Sequence, residues 1–204
     1  MKLLHLDSSV LGDVSASRQL SREVVNAWQA SQPGIEISYR DLAADNMQQL
    51  SGGTLAASGT PAELRDAAQQ FEAALSENIL NEFLAADALV IGAPMYNFAI
   101  PSQLKAWIDR VVVAGKTFRY GANGPEGLAG DKRVIIVSTA GGMHAGQATA
   151  AAHEDYLRFV LGFVGISNVT VIHAHGLSMG PDAREAAFKH ARSQIAGQFE
   201  AIAA

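Results

Sequence analysis

Cysteine is absent from all 204 residues. Its absence removes disulfides, thiol nucleophiles, thiolate-held zinc and iron–sulfur clusters together. Positive charge is in short supply, with 15 Lys and Arg against 20 Asp and Glu and a net charge of −5. Such a balance offers no basic face to nucleic acid. No apolar run approaches the ~20 residues that cross a bilayer, and the apolar part of the opening MKLLHLDSS is too short for a secretory signal. The expectation is a cytoplasmic protein with no membrane or nucleic-acid partner. Several catalytic signatures are missing as well: no G-x-G-x-x-G for a dinucleotide, no G-x-x-x-x-G-K-[ST] for a P-loop, no G-x-S-x-G elbow. His153-Glu-Asp-Tyr-Leu157 lacks the second histidine of a zinc peptidase, and Ser102-Gln-Leu-Lys105 stands without the partner motifs of a serine–lysine enzyme. His173 and His175 have no carboxylate near them in sequence, so no metal site is expected.

What is present suits one compact domain, residues 1–204, since 49% hydrophobic residues suffice to fill a core. The most informative stretch is Gly92–Arg110, GAPMYNFAIPSQLKAWIDR. Before it, Ala88-Leu-Val-Ile91 reads as a buried strand, stopped by Gly92 and Pro94. After it, Leu104, Trp107, Ile108, Val111 and Val112 recur at helical spacing, with Pro101 tolerated in the first turn. Between them Met95-Tyr-Asn-Phe98 forms a loop whose amide and backbone donors suit heteroatom edges and whose aromatics suit a π face. An ordinary turn capping the core reads the same way.

Leu3, Leu4 and Leu6 mark a first strand, followed by the hydroxyl-rich loop Ser8–Ser17 and a helix with Leu20, Val24, Ala27 and Trp28 on one face. Ser15 or Ser17 then sits at that helix's amino terminus, where free N–H groups favour an anion. A serine there is also an ordinary N-cap. Ile35–Arg40 alternates as a half-buried strand, and residues 41–61 are long enough to contain a short helix. Pro61 is expected to open a long helix bearing Leu64, Ala68, Phe71, Leu75, Ile79 and Phe83 on one face. Gly115–Gly130 reads as an exposed excursion whose Phe118 and Tyr120 mark either a binding surface or a small local cluster. Arg133–Thr139 is a strand ending in Ala140-Gly-Gly142, where backbone can approach a ligand closely. A helix with Tyr156, Leu157, Val160, Leu161 and Val164 ends at Gly165, Val169–Ala174 is a fifth strand, and Pro181 starts a last helix.

The alternation implies an α/β doubly wound, five-stranded parallel sheet with helices on both faces, in the flavodoxin-like order 2-1-3-4-5. Its switch point lies between strands 1 and 3, which brings the serine loop and the Met95–Phe98 loop to one crevice.

Gly92-Ala-Pro-Met-Tyr-Asn-Phe98 followed by Ile100–Arg110 resembles the signature of the FMN-dependent NADH azoreductases, also described as NADH:quinone oxidoreductases, and the resemblance spans essentially the full chain. It implies FMN held at its phosphate by Ser9, Ser15, Ala16 and Ser17 and at its ring by Met95, Tyr96, Asn97 and Phe98 and by Thr139, Ala140, Gly141 and Gly142. It implies NADH as donor (NADPH is left open), quinones and aromatic azo compounds as acceptors, and a homodimer with its active site at the interface. Tyr120, Phe118, His144 and Phe163 are then candidates for the substrate pocket, although His144 reads first as a solvated loop residue. No protein acid, base or nucleophile is required, because the flavin carries the chemistry. Two other readings share the fold: a flavodoxin-type electron carrier without a nicotinamide site, and a flavin-free binding protein.

Overall fold

The computed structural model describes residues 1–45 and 47–200. Strands β1 (Lys2–Asp7), β2 (Glu36–Asp41), β3 (Ala88–Pro94), β6 (Arg133–Ala140) and β7 (Val169–His175) form one parallel sheet in the order β2-β1-β3-β6-β7. Counted without the two hairpin strands described below, this is 2-1-3-4-5. The register runs Ser38–Leu4–Leu89–Val134–Val169 across the sheet. Because strand side chains alternate between faces, the sheet feeds two cores. Leu4, Leu6, Leu89, Ile91, Val134 and Ile136 meet helices α3 (Ala67–Ala85), α4 (Ser102–Val111) and α5 (Tyr156–Phe163) through Phe83, Trp107 and Leu161. On the other face Leu3, Val90, Ile135 and Val137 meet α1 (Ala16–Ser31) and α6 (Pro181–Glu200) through Leu20, Trp28 and Ile195. Each fully buried Leu or Ile contributes roughly 1.5–3 kcal/mol by leaving water. Strand β3 is buried along its whole length, as a central parallel strand must be.

Three sequence expectations change, and one, the short helix expected within residues 41–61, is met. Strand β3 does not stop at Gly92 but runs on to Pro94, its last three residues paired with Val137, Ser138 and Thr139. A short helix, α2 (Gly52–Gly59), lies inside the 41–61 connection and is capped by Ser51. Pro61 does not open the long helix. It precedes a single tight turn, and α3 begins only at Ala67, where Asp66 accepts from Gln69 N–H and Gln69 returns a bond to Asp66 N–H. Leu64 and Phe71 accordingly leave the buried face and are each 71% exposed. Finally, the glycine-rich excursion is an antiparallel hairpin, β4 (Phe118–Gly121) and β5 (Gly124–Gly127). It lies on the carboxyl end of α5, where Ala129 N–H donates to Val164 O and a Cβ on Gly127 would stand 2.1 Å from Gly165 N. Only glycine permits that backbone-to-backbone approach.

Ahead of α5 the chain makes one winding of the wider, i→i+5 helix at Ala151–Asp155. The extra residue per turn leaves His153 and Glu154, adjacent in sequence, both buried.

Candidate active site

The carboxyl edge of the sheet is built by short polar locks between β1 and β3. Ser8 Oγ donates to Gly92 O at 2.7 Å. Asp7 is 1% exposed and accepts from Ser21 at 2.8 Å. A Cβ on Gly92 would stand 2.5 Å from that carboxylate, so the glycine is required for β3 to pass beside Asp7. Burial pushes the Asp7 carboxyl up, and the contacts to His5, Ser21 and Arg18 more than offset it, leaving the group below its ordinary range.

Beyond Asp7 the serine loop turns into α1. Ser15 is the N-cap, accepting from Arg18 N–H, and its hydroxyl lies 3.0 Å from that of Ser17. The helical ladder begins with Gln19 N–H on Ser15 O, so the N–H groups of Ala16 and Ser17 have no intrahelical acceptor. Arg18 does not point at this terminus. Its guanidinium forks onto Asp41 at 2.6 and 2.7 Å and donates to Ser9 O at 2.8 Å, fixing the loop from behind. The Arg18 hydrogen bonds hold the Asp41 carboxyl below its usual range.

The second loop is pinned at both ends. Met95 N–H donates to Thr139 O at 2.7 Å, and the Tyr96 hydroxyl lies 2.9 Å from Ser9 Oγ and accepts from Val10 N–H. Tyr96 and Ala99 exchange both backbone hydrogen bonds at 3.0 Å, with Asn97 and Phe98 between them at φ +49° and +67°. Asparagine tolerates that left-handed region, whereas a bulky phenylalanine is an outlier there. Strain of this kind marks a position held for something other than stability. Phe98 is 58% exposed and meets the His144 ring edge-on at 5.8 Å.

The third loop follows β6. Thr139 and Ala140 are buried, Gly141 is exposed, and the β7–α6 connection zips onto them: Leu177 N–H to Ala140 O, Ser178 N–H to Gly141 O, Gly176 N–H to Gly142 O. Together the loops enclose a cleft of about 340 Å³ lined by Ser9, Ser15, Ala16, Met95, Tyr96, Thr139, Ala140 and Gly141, a volume within the roughly 300–1,000 Å³ of small-molecule sites. Ser17 lies behind Ser15, while Asn97, Phe98, Gly142 and His144 stand at the rim, outside the lining. Phe118, Tyr120 and Phe163 are not brought here. They stack on one another at 4.7 and 5.6 Å beside the carboxyl end of α5, and Tyr120 is 76% exposed. Nearby Ser167 and Asn168 N–H groups bond Asp131, which places that cluster at the amino edge of the sheet.

Leu11, Val14, Leu177, Ser178 and Arg184 also line the cleft and were not foreseen. The signal for Leu177 and Ser178 was topological: β7 neighbours β6, so its loop must border the loop after β6. Arg184 brings a cation to a crevice whose serine loop, Ser8–Ser17, has donors but no basic residue. The ensemble fits a flavin mononucleotide: a helix amino terminus with hydroxyls and a cation for a phosphate, and two backbone-rich loops around a flat slot.

The flavodoxin-like fold family matches residues 1–199. The chain is 63% identical over 203 residues to FMN-dependent NADH:quinone oxidoreductase 1 of Pseudomonas putida, covering 100% of both chains. It is 66% identical over 201 residues to FMN-dependent NADH:quinone oxidoreductase 2 of Pseudomonas aeruginosa, covering 98% of this chain and 100% of that one. An azoreductase structure from Bacillus anthracis superposes with a TM-score of 0.84 at 26% identity, covering 97% of each chain.

Proposed function

The chain belongs to the FMN-dependent NADH:quinone oxidoreductases of flavodoxin-like fold, and from that membership we propose how its own residues carry the activity. FMN, when bound, supplies a two-step hydride relay from NADH to a flat acceptor, a quinone or an aromatic azo compound. The residues hold that group and leave one ring face open. Ser9 and Ser15 hydroxyls and the Ala16 and Ser17 N–H groups bind the phosphate, the Ser17 hydroxyl holding that of Ser15, with Arg184 balancing its charge. Met95, Tyr96, Asn97 and Phe98 hold one side of the ring, and Thr139, Ala140, Gly141 and Gly142 the other. Backbone N–H groups of these loops that have no partner within the protein would stabilise the negative charge that builds on the reduced ring. His144 and Phe98 form the lip over which a flat substrate enters. The chemistry requires no side chain to act as an acid, base or nucleophile.

We place all of this in one FMN-binding domain in the cytoplasm. No helix among the described residues is long and apolar enough to cross a membrane. A homodimer completes the site. The exposed Tyr120 and its neighbours Phe118 and Phe163 lie at the far edge of the sheet from their own cleft, so only a second copy brings them to a flavin. The observation that carries the proposal is the meeting of three loops at the β1/β3 switch point, with a serine-capped helix terminus at one end of the cleft. The test is an anaerobic visible spectrum of FMN-reconstituted protein. One equivalent of NADH should bleach the flavin and benzoquinone should restore it. Flavin that binds but resists NADH would make the protein a carrier, and failure to bind would reject both readings.

A further inference from the structure

His175 ends β7 behind the flavin-side loop, 7% exposed. Its Nδ1 accepts from His144 N–H at 3.3 Å and Ala145 N–H at 3.1 Å. Its Nε2 lies 2.9 Å from Ser138 Oγ, and Ser138 donates its one proton to Glu154 Oε1. Proton counting leaves a single arrangement. Ser138 has no proton left for the ring, so Nε2 carries the hydrogen and Nδ1 is the bare acceptor. Glu154 comes from the wide helical winding and is itself held by His173 Nε2 at 3.0 Å. Burial pushes its carboxyl up, but the His173, His175 and Ser138 contacts outweigh that and keep it ionised. The groups facing His175 are therefore Glu154, Ser138 on β6, His173 on β7, and His144 on the loop at 6.3 Å between rings. His190 on α6 lines the same cavity behind the loop.

We propose that His175 is a positioning residue for the flavin-side loop: its unprotonated Nδ1 anchors the turn at His144 and Ala145, and Glu154, acting through Ser138, fixes the tautomer that makes Nδ1 an acceptor. This rests on the reading that Thr139–Gly142 hold the flavin ring. A ring turned to carry its hydrogen on Nδ1 would set N–H against N–H and release the loop, so flavin affinity depends on a side chain outside the cleft lining.

Two variants separate this from mere packing. His175→Asn places an amide oxygen at the Nδ1 position and does not titrate. His175→Gln, one methylene longer, places its amide near Nε2 and leaves the loop unanchored. FMN affinity, read by quenching of flavin fluorescence, should stay close to the native value in the Asn variant. It should weaken about tenfold in the Gln variant, the effect of two backbone hydrogen bonds at roughly 0.5–1.5 kcal/mol each. Equal affinities in all three proteins, or equal losses in both variants, would overturn the inference. Amide exchange in the native protein is a check that needs no variant: His144 and Ala145 should be protected, and fast exchange there overturns the anchor. Native protein that binds no FMN at all would reject the flavin reading itself, a result distinct from any of these.

Discussion

Consider replacing Gly92 with alanine, the smallest possible change to the central strand. The backbone there does not need glycine's conformational freedom, since Gly92 is not among the positive-φ residues; space alone is at issue. The added carbon would stand 2.5 Å from Asp7 Oδ1, with Leu6 O and Ser21 Oγ each at 3.5 Å. To reach an ordinary contact the carboxylate must retreat by roughly 1 Å, which breaks its 2.8 Å bond from Ser21. Overpacking of a tight interior costs about 1–3 kcal/mol, and a lost hydrogen bond to a buried charge about 1.5–3 kcal/mol more. The sum is on the order of 3–5 kcal/mol, or a fall in melting temperature on the order of 10 °C for a chain of this length. Thermal unfolding of the flavin-free protein followed by circular dichroism measures it. Gly197→Ala, in an open stretch of α6 with nothing within 4 Å, is the control and should stabilise by about 0.5–1 kcal/mol. In an Asp7→Ala background the Gly92 substitution should cost under about 1 kcal/mol, because the obstruction is gone. A Gly92→Ala protein as stable as the parent, or one whose loss is unchanged by Asp7→Ala, would refute the reasoning.

Four other outcomes follow from the same geometry. Ser15→Ala should lose about 1 kcal/mol of stability as a missing N-cap and also weaken FMN; Arg184→Ala should weaken FMN without a stability change and flatten its salt dependence, both read by flavin titration. Phe98→Gly should relieve left-handed strain and raise apoprotein stability by up to about 1 kcal/mol while slowing quinone reduction. Acid should destabilise in two stages. Burial holds His153 below its ordinary value, so the unfolded chain binds the extra proton first and stability falls from about pH 6.5 downward. Asp7, Asp41 and Glu154 are held below theirs, so their contribution is present above about pH 4 and is lost below it. Urea midpoints across pH would show both steps, and a flat profile to pH 3 would contradict them.

The sheet is legible because its strands are short apolar or alternating runs between breakers, the later ones rich in β-branched residues, and its helices keep a clear period; Arg133–Ala140 and Ser102–Val111 need no tertiary information. The hairpin was not, because Phe118–Gly127 is held by its turn and by Gly165, not by strand-forming residues. The start of α3 was misread at Pro61 although Asp66-x-x-Gln69 carries the pattern of a reciprocal cap; a proline signals more loudly than it decides. Within the site, loops following single strands could be inferred one by one. Arg184 could not, since it enters from the neighbouring strand's helix. Glu154 was invisible to any count by 3.6, as its inward aim depends on a wider winding.

That winding makes length, more than identity, the sensitive variable between residues 151 and 155. A substitution there changes one side chain. Deleting one residue would let the segment relax to ordinary pitch and rotate everything before it by about a quarter turn or more relative to α5. His153, which donates to Ala93 O at 3.0 Å beside the Met95 loop, and Glu154 could then no longer both face inward. Chains of this kind should therefore vary at the exposed positions 151, 152 and 155 of that turn, keep Glu154, and resist any change in its count.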